Sequence, residues 1–182
     1  MTVMTDIEEI QVRMHTDFFE RCEFAIQNGF YLEAIIMEYA AIESRLEVIC
    51  GVFGFPCGKD CGCRKDIMIS SRIECLRKYC CNNATVFANS KLPSNFFTEK
   101  GLLKKWIDKR NRIVHGLYKD EIKYRGRIQE SEALANKGLE YSRLLYNEAK
   151  RVRRMKKNHP LIIENGVVSC ENTKCKAYKE GE

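Results

Sequence analysis

Apolar side chains recur at steps of three and four residues through several long stretches of the chain. This spacing is that of one face of an α-helix, and glycines and turn-forming residues separate the stretches. The pattern predicts five helices, approximately at residues 6–28, 31–50, 67–81, 98–116 and 128–156. The predicted fold class is therefore all-α, an up-and-down bundle of four to five helices.

The ends of these stretches carry recognisable signals. Asn28-Gly29 is a typical helix stop, and Thr98 is a good N-cap for the fourth helix. After the last helix, short extended segments are predicted at residues 161–163 and 167–168. With 182 residues, the chain is expected to form one helical domain over residues 1–157, followed by a C-terminal tail over 158–182.

A single acidic residue interrupts the apolar side of the second helix. Glu43 lies four residues after Tyr39 and three before Leu46, which places its carboxylate near the buried stripe. A carboxylate there needs a partner or a shifted pKa. Either Glu43 forms a structural salt bridge with an arginine of a neighbouring helix, or it orients a functional residue. The rest of that side consists of Leu32, Ile35, Ile36, Tyr39, Leu46 and Ile49.

Charge is distributed unevenly along the chain. Residues 1–50 contain three Lys or Arg and ten Asp or Glu. Residues 101–160 contain seventeen Lys or Arg and seven Asp or Glu. A basic half of this kind can attract nucleic acid, but a basic helix face paired with an acidic one accounts for the same numbers. No stretch approaches the roughly 18 apolar residues of a membrane span, and the N-terminus lacks the features of a secretory signal. We therefore expect a cytoplasmic protein with no membrane partner.

Ten cysteines raise the question of disulfides or metal. Without a secretory signal, reduced thiols or metal ligands are favoured over a disulfide framework. Thiolates at short spacings can share a structural zinc ion, which requires four ligands. Free thiols in a loop remain the alternative, because the usual C-x2-C pairs are missing. The candidate zinc ligands are Cys57, Cys61 and Cys63, completed by Cys170 and Cys175 of the tail, with Cys80 and Cys81 as other sources.

The residues 110–115, Arg-Asn-Arg-Ile-Val-His, combine three chemistries in the predicted fourth helix. Arg110 is a permanently charged, fork-shaped phosphate ligand, and His115 can exchange a proton near neutral pH. Asn111 supplies a carboxamide between them, and Arg112 either adds a phosphate contact or is a solvated helix residue. The alternative is a helix end at which Arg110 pairs with an acid and His115 interacts favourably with the helix dipole.

This motif, in an all-helical chain with a long helix after it, resembles the HEPN family. Members carry an arginine, often followed by asparagine, and a histidine a few residues later; Arg110, Asn111 and His115 match this form, and Gly116 is also common there. The resemblance covers residues 6–157 by helix order, but only these positions are specific. In toxins of the family that a nucleotidyltransferase silences, a tyrosine lies two residues after the histidine. Here that position is Leu117 and the tyrosine is Tyr118, which puts this form of regulation in doubt.

The resemblance implies a metal-independent endoribonuclease, such as a toxin or antiviral effector, that needs no cofactor for catalysis. It also implies a homodimer in which two copies of the motif form one composite site, with an antitoxin or other regulatory protein as a further partner. Arg110, Asn111 and His115 would be catalytic, Arg112 would bind RNA and Glu43 would support them. Catalytically silent members imply the alternative, a helical module that only binds nucleic acid or a protein.

Helix geometry bears on this expectation. Arg110 and His115 are five residues apart, or about 140° around a regular helix, so they do not project from one face. Either the helix ends inside the motif, or a second subunit completes the site.

Overall fold

The computed structural model describes residues 6–53, 69–82, 90–116, 124–158, 161–164 and 167–170. Within these ranges the chain forms five helices and one β-hairpin, so the predicted fold class, an all-α bundle, is confirmed. The helices are α1 (Asp6–Gln27), α2 (Tyr31–Val52), α3 (Ile69–Asn82), α4 (Leu102–Gly116) and α5 (Tyr124–Asn158). The strands are β1 (Leu161–Glu164) and β2 (Val167–Cys170).

Contacts divide the chain into two units. The first takes the described residues up to Ala40 together with Lys109–Glu140, and the second takes Ala41–Asp108 together with the described residues from Tyr141 onward. The residues 110–115 belong wholly to the first unit. The predicted boundary between a domain and a tail near residue 157 stays a prediction.

The end of α1 is a Schellman motif built on Gly29. The amide of Gly29 donates to the carbonyl of Ile26 at 3.1 Å, and the amide of Phe30 donates to the carbonyl of Ala25 at 2.8 Å. Gly29 has a φ of 78°, a left-handed conformation that glycine adopts without the steric cost of a side chain. The predicted helix stop is confirmed.

The buried stripe of α2 differs from the predicted one. Ile35, Leu46 and Ile49 are buried as expected, but Ile36 is 47% exposed. The stripe instead passes through Glu38, which is three residues after Ile35 and is fully buried. Glu43 is only half-buried. Glu43 therefore lies at the edge of the buried stripe, as predicted, but the fully buried carboxyl group of α2 belongs to Glu38, which the prediction did not name.

The segment that leads into α4 folds back on itself before the helix begins. The amide of Leu102 donates to the carbonyl of Asn95 at 3.2 Å, and the amide of Leu103 donates to the carbonyl of Phe96 at 3.3 Å. The Thr98 hydroxyl donates to the carbonyl of Asn95 at 3.1 Å instead of capping the helix. The helix therefore begins at Leu102, later than the predicted start at Thr98. Phe96 is fully buried and packs edge-to-face against Tyr141, with ring centroids 5.1 Å apart.

Gly101 is required by this turn. A Cβ at this position would clash with the carbonyl oxygen of Asn95 and would lie 2.8 Å from the amide nitrogen and carbonyl oxygen of Thr98. Because these are backbone atoms, the turn itself would have to move, and we expect Gly101→Ala to lower the free energy of unfolding by about 1 to 3 kcal/mol. Urea denaturation measures this. Gly51→Ala is the matched control, since Gly51 is helical with nothing near its missing Cβ, and it should be neutral or slightly stabilising. Equal effects at both positions would contradict the steric explanation.

The predicted extended segments after α5 are also confirmed. Strands β1 and β2 pair antiparallel, with Leu161 opposite Cys170 and Glu164 opposite Val167. Along the described ranges, none of the helices combines the length and apolar character needed to cross a membrane.

Candidate functional site

The motif lies inside a continuous helix. Helix α4 extends from Leu102 to Gly116 without interruption, so both Arg110 and His115 are helical. A helix break within the motif, one of the two ways to bring these side chains to one phosphate, is therefore wrong. The Cα atoms remain about 140° apart around the helix axis.

Arg110 is held on the buried side of α4. Trp106, Ile107 and Ile113 on the same helix are buried, and Arg110 follows Trp106 by four residues, so its side chain leaves the helix next to an apolar stripe. Its guanidinium carbon lies 4.2 Å from the centre of the Tyr39 ring. A stacked guanidinium is attracted to the aromatic face by about 0.5 to 2 kcal/mol, depending on solvation. This contact orients the cation.

The same guanidinium donates one hydrogen bond within the motif. Nη1 of Arg110 lies 3.0 Å from Oδ1 of Asn111. Nε of Arg110 is buried and has no hydrogen-bond partner among the described residues. A guanidinium has five N–H donors, and the buried Nε is not open to solvent, so a phosphate contact would use the Nη groups. The predicted pairing of Arg110 with an acid is not seen among the described residues.

His115 lies on the exposed side of α4, in its last turn. Asn111 and Arg112 precede it by four and three residues and therefore share its face. Arg112 is also exposed, whereas Asn111 is half-buried. Within the described part of the chain, the His115 imidazole forms no hydrogen bond or ion pair.

Asn111 connects the two halves of the motif. It is one helical turn from His115, and it accepts a hydrogen bond from Arg110. The Arg110 guanidinium therefore contacts a residue that shares a face with His115. The structure thus brings Arg110 and Asn111 together directly, and it places Asn111, Arg112 and His115 along one face.

The predicted supporting residue Glu43 has a structural partner through its backbone. Its carbonyl accepts a hydrogen bond at 3.2 Å from Arg72 of α3, whose guanidinium also lies 3.5 Å from the Glu47 carboxylate. The Glu43 carboxylate forms no hydrogen bond or ion pair with a described residue. An orienting role for Glu43 at the motif stays a prediction.

Sequence reasoning missed Glu38. Burial raises the pKa of this carboxyl group to about 9, so it is protonated at neutral pH. Its neighbour in sequence, Tyr39, is the residue on which Arg110 stacks. The sequence does contain the signal: Glu38 is three residues after Ile35 and four before Ile42, at the helical spacing of the stripe.

The cysteine predictions fall mostly outside the described residues. Cys57, Cys61, Cys63 and Cys175 lie there, while Cys170 ends strand β2. The zinc site therefore stays a prediction. Of the described cysteines, Cys22, Cys50 and Cys75 have reduced thiols, as expected. No cluster of potential metal ligands occurs among the residues that the structure describes.

Comparison with known proteins adds no relative. No family model matches the chain, and no curated protein or solved structure matches it. The arguments for function therefore depend on the residues and their geometry.

The arrangement around the motif has a definite chemical capacity. It offers an oriented guanidinium, an amide bound to it, and an exposed imidazole that shares its face with a second guanidinium. Cations and an exchangeable proton are the two requirements for displacing a group at a phosphodiester without metal.

Proposed function

We propose that the chain is a metal-independent endoribonuclease of the HEPN type that acts as a homodimer. The observation that carries this proposal is the fixed position of Arg110, stacked on Tyr39 and bonded to Asn111, with His115 exposed in the next turn of the same helix. The guanidinium is oriented before substrate arrives, and the imidazole is open to it.

In the proposed reaction, His115 takes the proton of a ribose 2′-OH, and the 2′-oxygen forms a bond to the adjacent phosphorus. The bond from phosphorus to the 5′-oxygen breaks, and an imidazolium protonates that oxygen. Arg110 stabilises the added charge on the phosphoryl oxygens during the transfer. The products are a 2′,3′-cyclic phosphate and a 5′-hydroxyl, and the proton count balances between the two imidazoles.

A second subunit has a specific place in this proposal. Two imidazoles are needed if one acts as base while the other acts as acid, and each chain has one histidine in the motif. Since α4 is continuous, a single copy presents its arginine and histidine in different directions. Two copies that face each other would supply both histidines and both arginines to one phosphate.

The alternative is a helical module that binds nucleic acid or a protein without cleaving it. The observation that favours it is the exposed basic surface at the end of α5, which can bind a polyanion without any catalytic group. This surface comprises Lys150, Arg153, Arg154, Lys156 and Lys157.

The test is the cleavage of a fluorescently labelled single-stranded RNA by purified protein in excess EDTA. We expect cleavage to products that end in 2′,3′-cyclic phosphate, identified by mass spectrometry. An RNA with a single 2′-deoxy residue at the cleaved position should resist cleavage there, because the nucleophile is missing. Binding without cleavage would favour the module. Cleavage that EDTA abolishes would contradict the metal-independent mechanism.

A toxin or antiviral role, with a cognate antitoxin or regulatory protein in the cytoplasm, is the biological setting we propose for such an activity. Growth arrest on expression, relieved by His115→Ala, would support it. Residues Leu117 and Tyr118, which bear on one form of silencing, lie outside the described residues.

A further inference from the structure

A second candidate site lies in the other unit, on helix α5. A pocket of about 440 Å³ opens between this helix and the segment before α4. Such a volume falls in the range of small-ligand pockets. The residues that line it are Lys91, Leu144, Asn147, Glu148, Lys150, Arg151 and Arg154. None of them belongs to the motif in α4.

One face of α5 forms a wall of this pocket. Leu144, Asn147, Arg151 and Arg154 follow one another at steps of three and four residues, so they lie on one side of the helix. The opposite side consists of the buried residues Leu145, Ala149 and Val152. Lys91, from the segment before α4, contributes a further cation to the pocket. Positive charge therefore comes from two separate segments of the chain.

Among the described residues that line the pocket, Glu148 is the only acid, and it is already paired. It is 3% exposed, and its two carboxylate oxygens accept hydrogen bonds from Arg151 at 2.6 and 3.0 Å. This bidentate pair neutralises both groups. Lys91, Lys150 and Arg154 form no ion pair with any residue that the structure describes. Four cations against one carboxylate give the described lining a net charge of +3.

Two of these cations are close neighbours on the helix. Lys150 and Arg154 are four residues apart, a spacing at which like charges repel and an anion between them would be favourable. One helical turn, roughly 5 to 6 Å, separates their backbones, so both long side chains can reach the same small group.

We propose that this pocket binds a terminal phosphate or diphosphate group, such as the one a nucleotide carries. A phosphate monoester has a charge of about −1.5 to −2 near neutral pH and three strong acceptor oxygens, and a diphosphate has more of both. These charges match a net +3 better than the single charge of one phosphodiester. The half-buried Leu144 offers an apolar contact for an attached ring, and the exposed Asn147 offers an amide. The pocket is separate from the proposed catalytic motif, and the inference does not depend on nuclease activity.

Isothermal titration of the full chain with ADP and with inorganic pyrophosphate tests this assignment. We expect both to bind, and the double variant Lys150→Gln/Arg154→Gln to bind at least about tenfold more weakly, since it loses two charge-assisted hydrogen bonds to the phosphate. Lys91→Gln should weaken binding as well. The matched control is Lys100→Gln/Lys105→Gln, which removes the same charge from exposed positions outside the pocket and should change affinity less than about twofold.

A second arm identifies the source of the phosphate. Two 2′-O-methyl RNAs that differ only in a 5′-phosphate or a 5′-hydroxyl are compared by fluorescence anisotropy, and neither can be cleaved through a 2′-OH. Preference for the 5′-phosphorylated RNA, lost in the pocket variant, assigns the pocket to the end of an RNA chain. Binding of ADP without that preference assigns it to a free nucleotide.

Three outcomes would overturn the proposal. The first is that ADP, pyrophosphate and the 5′-phosphate all fail to bind preferentially. The second is an equal loss of affinity in the pocket and control variants, which indicates diffuse attraction by the basic surface. The third is equal binding of both RNAs without binding of ADP or pyrophosphate, which indicates recognition of the polymer backbone. Far-UV circular dichroism verifies that the variants keep their helix content; the substituted positions are exposed, so we expect no change.

Discussion

Replacing His115 with alanine is expected to lower the rate of RNA cleavage by about two to four orders of magnitude, the range that a general acid or base contributes. The variant should bind RNA with nearly unchanged affinity, because the substitution removes a proton carrier and leaves Arg110 and Arg112 in place. It should also fold normally, since His115 is exposed and bonds to no other described residue. Single-turnover cleavage in EDTA, together with an anisotropy titration, measures both quantities.

The matched control is Lys109→Ala. Lys109 is exposed on the same helix and carries a full positive charge, so its loss reports the general electrostatic contribution of α4. We expect less than a tenfold effect on cleavage. An unchanged rate in His115→Ala would remove this residue from the mechanism, and an equal loss in both variants would reduce its role to charge.

Mixing unaltered and inactive subunits tests whether the site is composite. After subunits exchange, a dimer of one unaltered and one His115→Ala chain contains a single intact histidine, and a mechanism with two imidazoles predicts that it does not cleave. At constant total protein, we therefore expect the cleavage rate to fall with the square of the fraction of unaltered subunits. If the protein is a dimer and the subunits exchange, as a tag-exchange pull-down would verify, a fall in direct proportion to that fraction would show that each site uses residues of one chain.

The second large effect concerns stability and comes from Glu38. This carboxyl group is fully buried, and burial raises its pKa from 4.5 to about 9. Between these two values the folded chain retains a proton that the unfolded chain releases, so the free energy of unfolding falls as pH rises. The stabilisation of the folded chain by this proton is fully present below about pH 4.5 and is lost progressively up to about pH 9. From pH 5 to pH 8, this one group lowers the free energy of unfolding by about 4 kcal/mol.

Glu38→Gln should remove this dependence, because glutamine has a similar shape and does not ionise. We expect the difference between the variant and the unaltered protein to grow with pH in favour of the variant, by about 4 kcal/mol from pH 5 to pH 8. Urea denaturation at several pH values measures it. The control is Glu33→Gln, at an exposed position in the first turn of the same helix. Burial at position 38 is not the cause if the free-energy difference between Glu38→Gln and the unaltered protein stays constant with pH. It is also not the cause if the difference for Glu33→Gln grows with pH by the same amount.

The local pattern of residues along the chain explains which features of the fold could be predicted. Helix positions and their approximate ends follow from apolar spacing and from signals such as Asn28-Gly29, since these depend on residues a few positions apart. The fourth helix shows the limit. Thr98 looks like a cap, but the backbone carbonyls of Asn95 and Phe96 accept the first amides of α4 and delay its start.

The buried stripe of α2 shows the same limit in another form. Ile36 and Tyr39 are spaced like residues on one face of a helix, and so are Ile35 and Glu38, because successive residues lie only 100° apart around the helix axis. Apolar character favours Ile36 and Tyr39 for the buried face, but the packed structure buries Ile35 and Glu38 and leaves Ile36 exposed. Local spacing thus allows either face, and which of the two is covered depends on what lies against the helix.

The sequence by itself determined the all-α class, the order of the helices and the presence of Arg110, Asn111 and His115 in the fourth of them. Only the tertiary structure decided that Arg110 stacks on Tyr39, that Glu38 is the fully buried carboxyl group of α2, and that Lys91 joins the cations of α5 around a pocket. The reason is that periodicity is a property of neighbouring residues, whereas these contacts join segments that are far apart along the chain and meet only through packing.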